Sequence, residues 1–442
     1  MLQHTQTLPS PTPFEDAKRF FLDGIGYFES GCFSEALTAF EASLVLLTGR
    51  VSTLANLGAT LVKLGQADAA LQVLDQALAV DTGYSDAWSH RGLALADLGR
   101  HPEALACHDR VLAQNQTDVP AWYQRSLMLN VLGRHEEALQ ATESLLVFDP
   151  DSFNGWHIRG EVLHRLNRQA EALAAFDRVL AINPSSHQVW SQRAGILKEL
   201  GHHDDAIAAF KQALALGGDR ELNGYFLASL SGIQAPATAP RQYVEALFND
   251  YADEFDAHLV GVLGYRAHKV LIEHTQGLGK PHYRCALDLG CGTGLCGPLI
   301  KPNADQIHGV DLSSLMLDKA RALGVYASLV QADLSEYLQE TQQRYDWVVS
   351  ADVFIYVGAL EAVFAGVHRL LDPGGLFCFS VEQDDDAFDY RLRKSQRYAH
   401  SERYLRALAN TTGFNIVKML KHPIREEQLK AIDGLFVYLV KT

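Results

Sequence analysis

The chain repeats itself every 34 residues through its first half. Alanine recurs in that step at Ala36, Ala70, Ala104, Ala138, Ala172 and Ala206. Glycine keeps the same step at Gly31, Gly65, Gly99, Gly133 and Gly201, and Asn167 stands where one more would fall. Asparagine is the substitute expected at a turn that demands positive φ. Tryptophan forms a third register at Trp88, Trp122, Trp156 and Trp190. Segments with apolar residues three and four apart flank each turn, which is the spacing of one helix face. Each unit therefore reads as a helical hairpin, with the small alanine where its two helices approach closely.

These registers resemble the tetratricopeptide repeat, whose pattern also places a phenylalanine and a proline. Phe40, Phe176 and Phe210 occupy the first of those positions, and Pro150 and Pro184 the second. The resemblance covers six units over residues 17–220. It implies an all-α solenoid with a concave groove for a protein or peptide. The lysine and asparagine clamp that such repeats use for acidic peptide ends is absent: the corresponding positions hold Ala55 and Ala59, Ser89 and Leu93, Tyr123 and Leu127. The recurrent tryptophans and alanines are packing positions first. Asn154, His157, Glu161 and His164 share one face of the fifth unit, where a solvated polar face is the plainer reading. Residues 1–16 are expected to be a disordered N-terminal segment, and 221–240 a capping helix followed by a linker at Gln234–Pro240.

From residue 241 the pattern changes. A helical region to about His274 precedes apolar runs that alternate with helices: Cys285–Leu289, Gln306–Asp311, Ala327–Asp333, Trp347–Ala351 and Leu376–Val381. Such alternation predicts a mostly parallel sheet with helical crossovers. Two late runs, near Asn415–Leu420 and Leu435–Val440, predict a C-terminal β-hairpin, for seven strands over residues 241–442.

The first strand of this half leads into Asp288-Leu-Gly-Cys-Gly-Thr-Gly294. Glycines let the backbone turn tightly and let a ligand approach without a Cβ in the way. Gly292 to Gly297 also satisfies the weak Gly-x-Gly-x-x-Gly signal of a dinucleotide site. Three acidic strand ends argue otherwise. Asp288 precedes the turn, Asp311 ends the second strand, where a carboxylate can accept both hydroxyls of a ribose, and Asp333 ends the third, where it can accept from an adenine amino group. Carboxylates repel a pyrophosphate and attract a cation, so the set suits an adenosine ligand without phosphates. A helix N-cap is the plainer reading of Asp333 taken alone.

Together these residues resemble the class I S-adenosylmethionine-dependent methyltransferases, a Rossmann-like α/β family. The resemblance implies that Gly290, Cys291, Gly292 and Gly294 hold the methionine part of S-adenosylmethionine. It further implies that Asp311 holds the ribose and Asp333 the adenine, with Leu312, Met316 and Leu334 as apolar neighbours. Phe248 to Asp256 resembles the helix that covers the cofactor, which adds Tyr251, Phe255 and Asp256 as candidates, though aromatic packing accounts for them equally well. Fusion to repeats is similar to the tetratricopeptide-repeat methyltransferases inferred in bacteria.

Methyl transfer needs alignment above all, and a base only when the attacking atom must lose a proton. After the fourth strand the chain reads Ala351-Asp-Val-Phe-Ile-Tyr356, without the Asn/Asp-Pro-Pro-Tyr order that methylation of base or amide nitrogen places there. Asp352, a further cofactor candidate, lies with Tyr356, Glu382 and His400 at the same expected sheet edge. Of these, His400, Glu382 and Tyr356 are the candidate catalytic residues, and His400 carries the side chain suited to base work near neutral pH. Ordinary packing beside the helix cap Ser401 is the competing account of His400.

Charge and cysteine usage narrow the rest. Against 53 acidic residues stand 38 basic ones, for a net charge of −15, and no basic run occurs. Direct nucleic-acid binding is therefore not expected. Six cysteines show no metal-ligand spacing, so reduced structural thiols and no metal are expected. No leader-like start and no membrane-length apolar run occur, which favours a cytoplasmic protein. Three readings follow: a methyltransferase whose repeats recruit a protein or carrier-bound substrate; a small-metabolite methyltransferase with repeats for assembly or regulation; or a repeat scaffold with a secondary cofactor domain.

Overall fold

A computed structural model describes residues 12–252, 255, 261, 263–385, 387–427 and 430–442. The chain forms two compact units, Met1–Ala206 and Ile207–Thr442. The first is helical: α1 (Pro13–Glu29), α2 (Phe33–Leu46), α3 (Val51–Lys63), α4 (Ala67–Val80), α5 (Ser85–Asp97), α6 (His101–Gln114), α7 (Val119–Val131), α8 (His135–Phe148), α9 (Phe153–Arg165), α10 (Gln169–Ile182) and α11 (His187–Glu199). The boundary between units falls inside α12 (His203–Ala215). Helix already begins at Pro13, capped by Thr12 and Glu15 acting reciprocally, so order starts earlier than the expected segment 1–16 allows.

The three registers have separate physical jobs. The alanines from Ala36 to Ala206 are fully buried, because nothing larger fits where paired helices meet. The turns adopt left-handed φ, from +71° to +78° at the repeat glycines and +59° at Asn167. The tryptophans are half-buried staples: each indole N–H donates to the carbonyl six residues earlier, as from Trp88 to Thr82 O at 2.9 Å and from Trp190 to Pro184 O at 2.9 Å. A fourth register escaped the sequence reading. Arg91, Arg125, Arg159 and Arg193 pair with Asp75, Asp109, Glu143 and Asp177 of the preceding helix at 2.7–3.2 Å.

The second unit continues with α13 (Arg220–Ser231), capped by Asp219 and closed by Gly232 at φ +67°. There follow α14 (Arg241–Tyr251), α15 (Ala267–Glu273), β1 (Tyr283–Leu289), α16 (Gly297–Ile300), β2 (Ala304–Asp311), α17 (Ser314–Ala322), β3 (Ser328–Gln331), α18 (Leu334–Glu340), β4 (Tyr345–Ser350), α19 (Glu361–Leu370), β5 (Leu371–Gln383), β6 (Tyr390–Leu392), β7 (Tyr398–His400), α20 (Glu402–Thr412), β8 (Phe414–Glu427) and β9 (Lys430–Lys441). Parallel strands run β3-β2-β1-β4-β5, and β9 then pairs antiparallel with both β5 and β8. Both faces of the sheet are covered. Leu287, Val348, Phe377 and Phe379 pack against α19 and α20, while Ala286, Trp347, Val349 and Cys378 pack against α15.

The sheet has nine strands among the described residues, where seven were expected. The additional pair is the β6–β7 hairpin, whose Ala399 and His400 align parallel with Glu382 and Gln383 at the end of β5. Three-residue strands carry too little periodicity to be read locally. The C-terminal hairpin is also longer than expected, paired from Phe414↔Lys441 to Glu427↔Lys430. A bulge between Pro423 and Arg425 re-aims β8, so the consecutive residues Ile424 and Arg425 are both buried.

Gln234–Pro240 is not a free linker. Ala237 O accepts from Gly358 N at 2.8 Å and Ala359 N at 2.9 Å, Ala239 N donates to Tyr356 O at 2.9 Å, and Tyr398 Oη donates to Pro236 O at 2.8 Å. Its proline and alanine content suggested flexibility, but extended backbone can equally satisfy a neighbouring loop. No helix among the described residues is long and apolar enough to cross a membrane.

Candidate functional site

The glycine loop leaves β1 at Asp288 and packs tightly against its surroundings. Gly290 adopts φ +75°, and a Cβ there would lie 2.4 Å from Val353 Cγ2. Gly292, at φ +53°, has open space where a Cβ would point, a cradle suited to close approach by a ligand. Gly294, at φ +92°, and Gly297 give up their Cβ to the ring of Tyr326 instead, which would lie 3.0 Å and 2.8 Å away. The loop's glycines therefore divide between making room for a ligand and making room for the protein.

Beside this loop lies a cavity of about 560 Å³ at the C-terminal ends of β1, β2 and β4, where open α/β sheets place ligands. Asp288, Gly290, Cys291, Gly292, Asp311, Leu312, Asp333, Leu334, Asp352 and Tyr356 line it among the described residues. Met316 does not: α17 turns it into the core, where it is fully buried. Gly294 also stands outside the lining. Asp256 and the side chain of Tyr251 lie outside the described residues. Phe255 lines the cavity and stacks edge-on against Phe248 at 5.9 Å.

The carboxylates are held differently. Asp288 is buried and its Oδ2 accepts from Tyr326 Oη at 2.7 Å. Burial pushes its pKa up to about 7, with the tyrosine hydrogen bond opposing and the charge of Asp311 reinforcing. Asp311 accepts from Gly292 N at 2.8 Å and from Ser313 N at 2.9 Å, which ties the end of β2 to the loop. Burial raises its pKa as well, against those backbone donors. Asp333 caps α18 by accepting from Ser335 N at 2.8 Å, so the capping account and the cavity-lining position both describe it. Asp352 sits at φ +59° beyond β4 and pairs with Arg425 at 3.1 Å.

α14 lies over this cavity. Its Val244, Leu247 and Phe248 line the wall, Asn249 Oδ1 accepts from Ser313 Oγ at 2.6 Å, and Arg241 pairs with Glu336 at 3.1 Å. Thr238 and Ala239 of the strap add to the lining.

Two candidate catalytic residues do not reach the cavity. His400 is completely buried between β5 and β6, where Nε2 donates to Val357 O at 2.9 Å and to Gly358 O at 3.0 Å. Burial lowers its pKa to about 4, so it is a neutral structural imidazole. Glu382 is buried in an ion-pair network with Arg425 and with Arg393 at 3.0 Å and does not line the cavity. Both were misplaced because the β6–β7 hairpin covers the end of β5. Tyr356 lines the cavity, with its phenol raised by burial and therefore protonated. Reasoning from sequence missed Tyr265, His268, Arg397 and Arg425, which also line it. They stand outside the glycine-loop motif, and no local signal marks them. No group of three or more metal-ligating side chains occurs among the described residues.

Comparison with known proteins agrees with this architecture. Residues 286–375 match a family described as a methyltransferase domain, and residues 61–129, 131–187 and 187–216 match tetratricopeptide repeat families. The chain is 31% identical over 153 residues to Methyltransferase-like protein 27 of Homo sapiens, covering 33% of this chain and 60% of that one. It is 28% identical over 209 residues to the malonyl-[acyl-carrier protein] O-methyltransferase of Halalkalibacterium halodurans, covering 45% and 73%. A solved magnesium protoporphyrin IX methyltransferase from Synechocystis with bound SAH is similar at 16% identity and a TM-score of 0.37, covering 46% of this chain and 99% of that one. The chain spans less than two thirds of the first of these relatives. It thus joins tetratricopeptide repeats to a methyltransferase domain.

Proposed function

We propose that the second unit is an S-adenosylmethionine-dependent methyltransferase and that the repeats recruit its acceptor, a protein or a carrier-bound group. One observation carries the first part: three consecutive strand ends, at Asp288, Asp311 and Asp333, bring carboxylates to one cavity beside a glycine loop. Such a wall attracts a cationic amino acid and accepts from ribose and adenine, while it repels phosphates. The match of residues 286–375 to a methyltransferase family supports the same reading. The residues fit the cofactor, because Gly292 leaves open the space a Cβ would fill at the cavity wall.

In this reading Asp288 and the turn at Gly290, Cys291 and Gly292 take the methionine end, Asp311 the ribose hydroxyls, and Asp333 the adenine amino group. Leu312 and Leu334 supply apolar walls for the adenine. When bound, the cofactor supplies a methyl group activated by its positive sulfur. Alignment of the acceptor then falls to Tyr356, Asp352 and Phe248 of α14, which also line the cavity. The buried ion pairs of Glu382 and the burial of His400 leave no base among the three candidates first singled out. An acceptor that is already deprotonated at neutral pH suits such a wall. The malonyl-[acyl-carrier protein] relative acts on a carrier-bound acyl group, which favours a carrier or protein acceptor over a free metabolite.

Calorimetry on the full chain with S-adenosylmethionine and with NAD tests the cofactor. S-adenosylmethionine should bind, and Asp311→Ala should weaken it about tenfold or more. Binding unchanged by that substitution rejects the assignment. For the acceptor, labelled cofactor is added to a lysate with the purified chain. Label in one protein band supports recruitment; label in small molecules alone rejects it.

A further inference from the structure

Tyr326 lies in the connection between α17 and β3, outside the cavity lining and outside every motif of the sequence. Three glycines make room for its ring: a Cβ at Gly294, Gly297 or Gly309 would come within 2.8–3.1 Å of it. The ring is thereby wedged behind the glycine loop, and its hydroxyl donates to Asp288 Oδ2 at 2.7 Å. Asp288 itself faces the cavity. A buried carboxylate with one oxygen fixed in this way has little rotational freedom and presents a defined direction to a ligand.

Resting on the methyltransferase reading, we infer that Tyr326 is a positioning residue for the cationic amino-acid end of the cofactor, acting through Asp288. The hydrogen bond does two things at once. It orients the carboxylate toward the loop, and it favours the charged form that an ammonium group needs. The other groups acting on Asp288 cannot replace it. They are Asp311 on β2, Cys291 and Cys296 of the loop, Cys378 on β5, and Tyr265 ahead of α15. Burial keeps the three thiols and the Tyr265 phenol protonated, and Asp311 is a like charge that opposes ionisation. Among these described residues Tyr326 is the group that hydrogen-bonds the carboxylate and favours its ionised form against burial.

The test is calorimetry of the full chain from about pH 6 to about pH 9 with two probes. One is S-adenosylmethionine; the other is 5′-methylthioadenosine, which lacks the amino-acid end. Tyr326→Phe keeps the ring and so the loop packing. With S-adenosylmethionine, wild-type affinity should rise with pH through about 7 and then level. In Tyr326→Phe the midpoint should move upward, with about tenfold weaker binding at neutral pH and convergence at high pH. Methylthioadenosine should bind both proteins alike. On an Asp288→Asn background, Tyr326→Phe should add no further loss. An unmoved midpoint overturns the assignment, as does equal loss for both probes, which would mean a packing role alone. Failure of wild-type protein to bind either probe overturns the methyltransferase reading itself.

Discussion

Arg425 Nη1 lies 3.1 Å from Asp352 Oδ2, and its Nη2 donates to Glu382 Oε1, so one guanidinium joins the ends of β4 and β5. The Arg425 and Glu382 side chains are 1% and 3% exposed. The bulge in β8 delivers Arg425 to this place and thereby makes the C-terminal hairpin part of the cavity wall.

Removing that cation should be costly, because two carboxylates would lose a buried partner. Arg425→Met is expected to destabilise the second unit by about 3–5 kcal/mol in urea titration. Adding Glu382→Gln should recover part of the loss, since a neutral amide tolerates burial better. No recovery in the double variant would show that packing, not charge, sets the cost.

Gly290 is the loop position least able to change. Ala at φ +75° would be strained and would drive its Cβ into Val353 at 2.4 Å. Gly290→Ala should cost about 1–3 kcal/mol. Thermal unfolding with and without S-adenosylmethionine separates the two effects: the variant should melt lower and should lose the ligand-induced rise.

Acid should loosen both units through neutral buried histidines. Burial lowers His108 in α6 and His400 in β7 from 6.5 to about 4. A depressed folded pKa means that the unfolded chain takes the proton first. The associated stability is complete above about pH 6.5, declines as pH falls toward about 4, and changes no further below that. Each histidine corresponds to roughly 3 kcal/mol over this window. His108→Leu should flatten the acid dependence of the first unit, followed by circular dichroism. A slope equal to wild type would remove His108 from the account.

Asn167 keeps a left-handed turn at φ +59° where the other described repeat turns use glycine. Asn167→Ala should destabilise the first unit by about 1 kcal/mol, and Asn167→Gly should be neutral or slightly stabilising. The urea midpoint should therefore fall below the wild-type value for Asn167→Ala and match or exceed it for Asn167→Gly. Equal losses would show that the side chain and not the backbone conformation matters there.

The sequence by itself determined the repeats, the parallel sheet and the carboxylates that meet the glycine loop. Each is a local signal: a 34-residue period, an alternation of strand and helix, or a residue fixed at a strand end by the loop that follows it. Tertiary structure alone decided which side chains face the cavity beyond that loop. His400 and Glu382 sit at the expected edge, yet a hairpin of three-residue strands covers them. Arg425 reaches Glu382 across 43 positions and Tyr326 reaches Asp288 across 38, distances at which no local pattern fixes a partner. The segment at Gln234–Pro240 shows the same limit, because composition describes how freely a chain bends alone, while its docking depends on the carbonyls and amides that the fold brings alongside it.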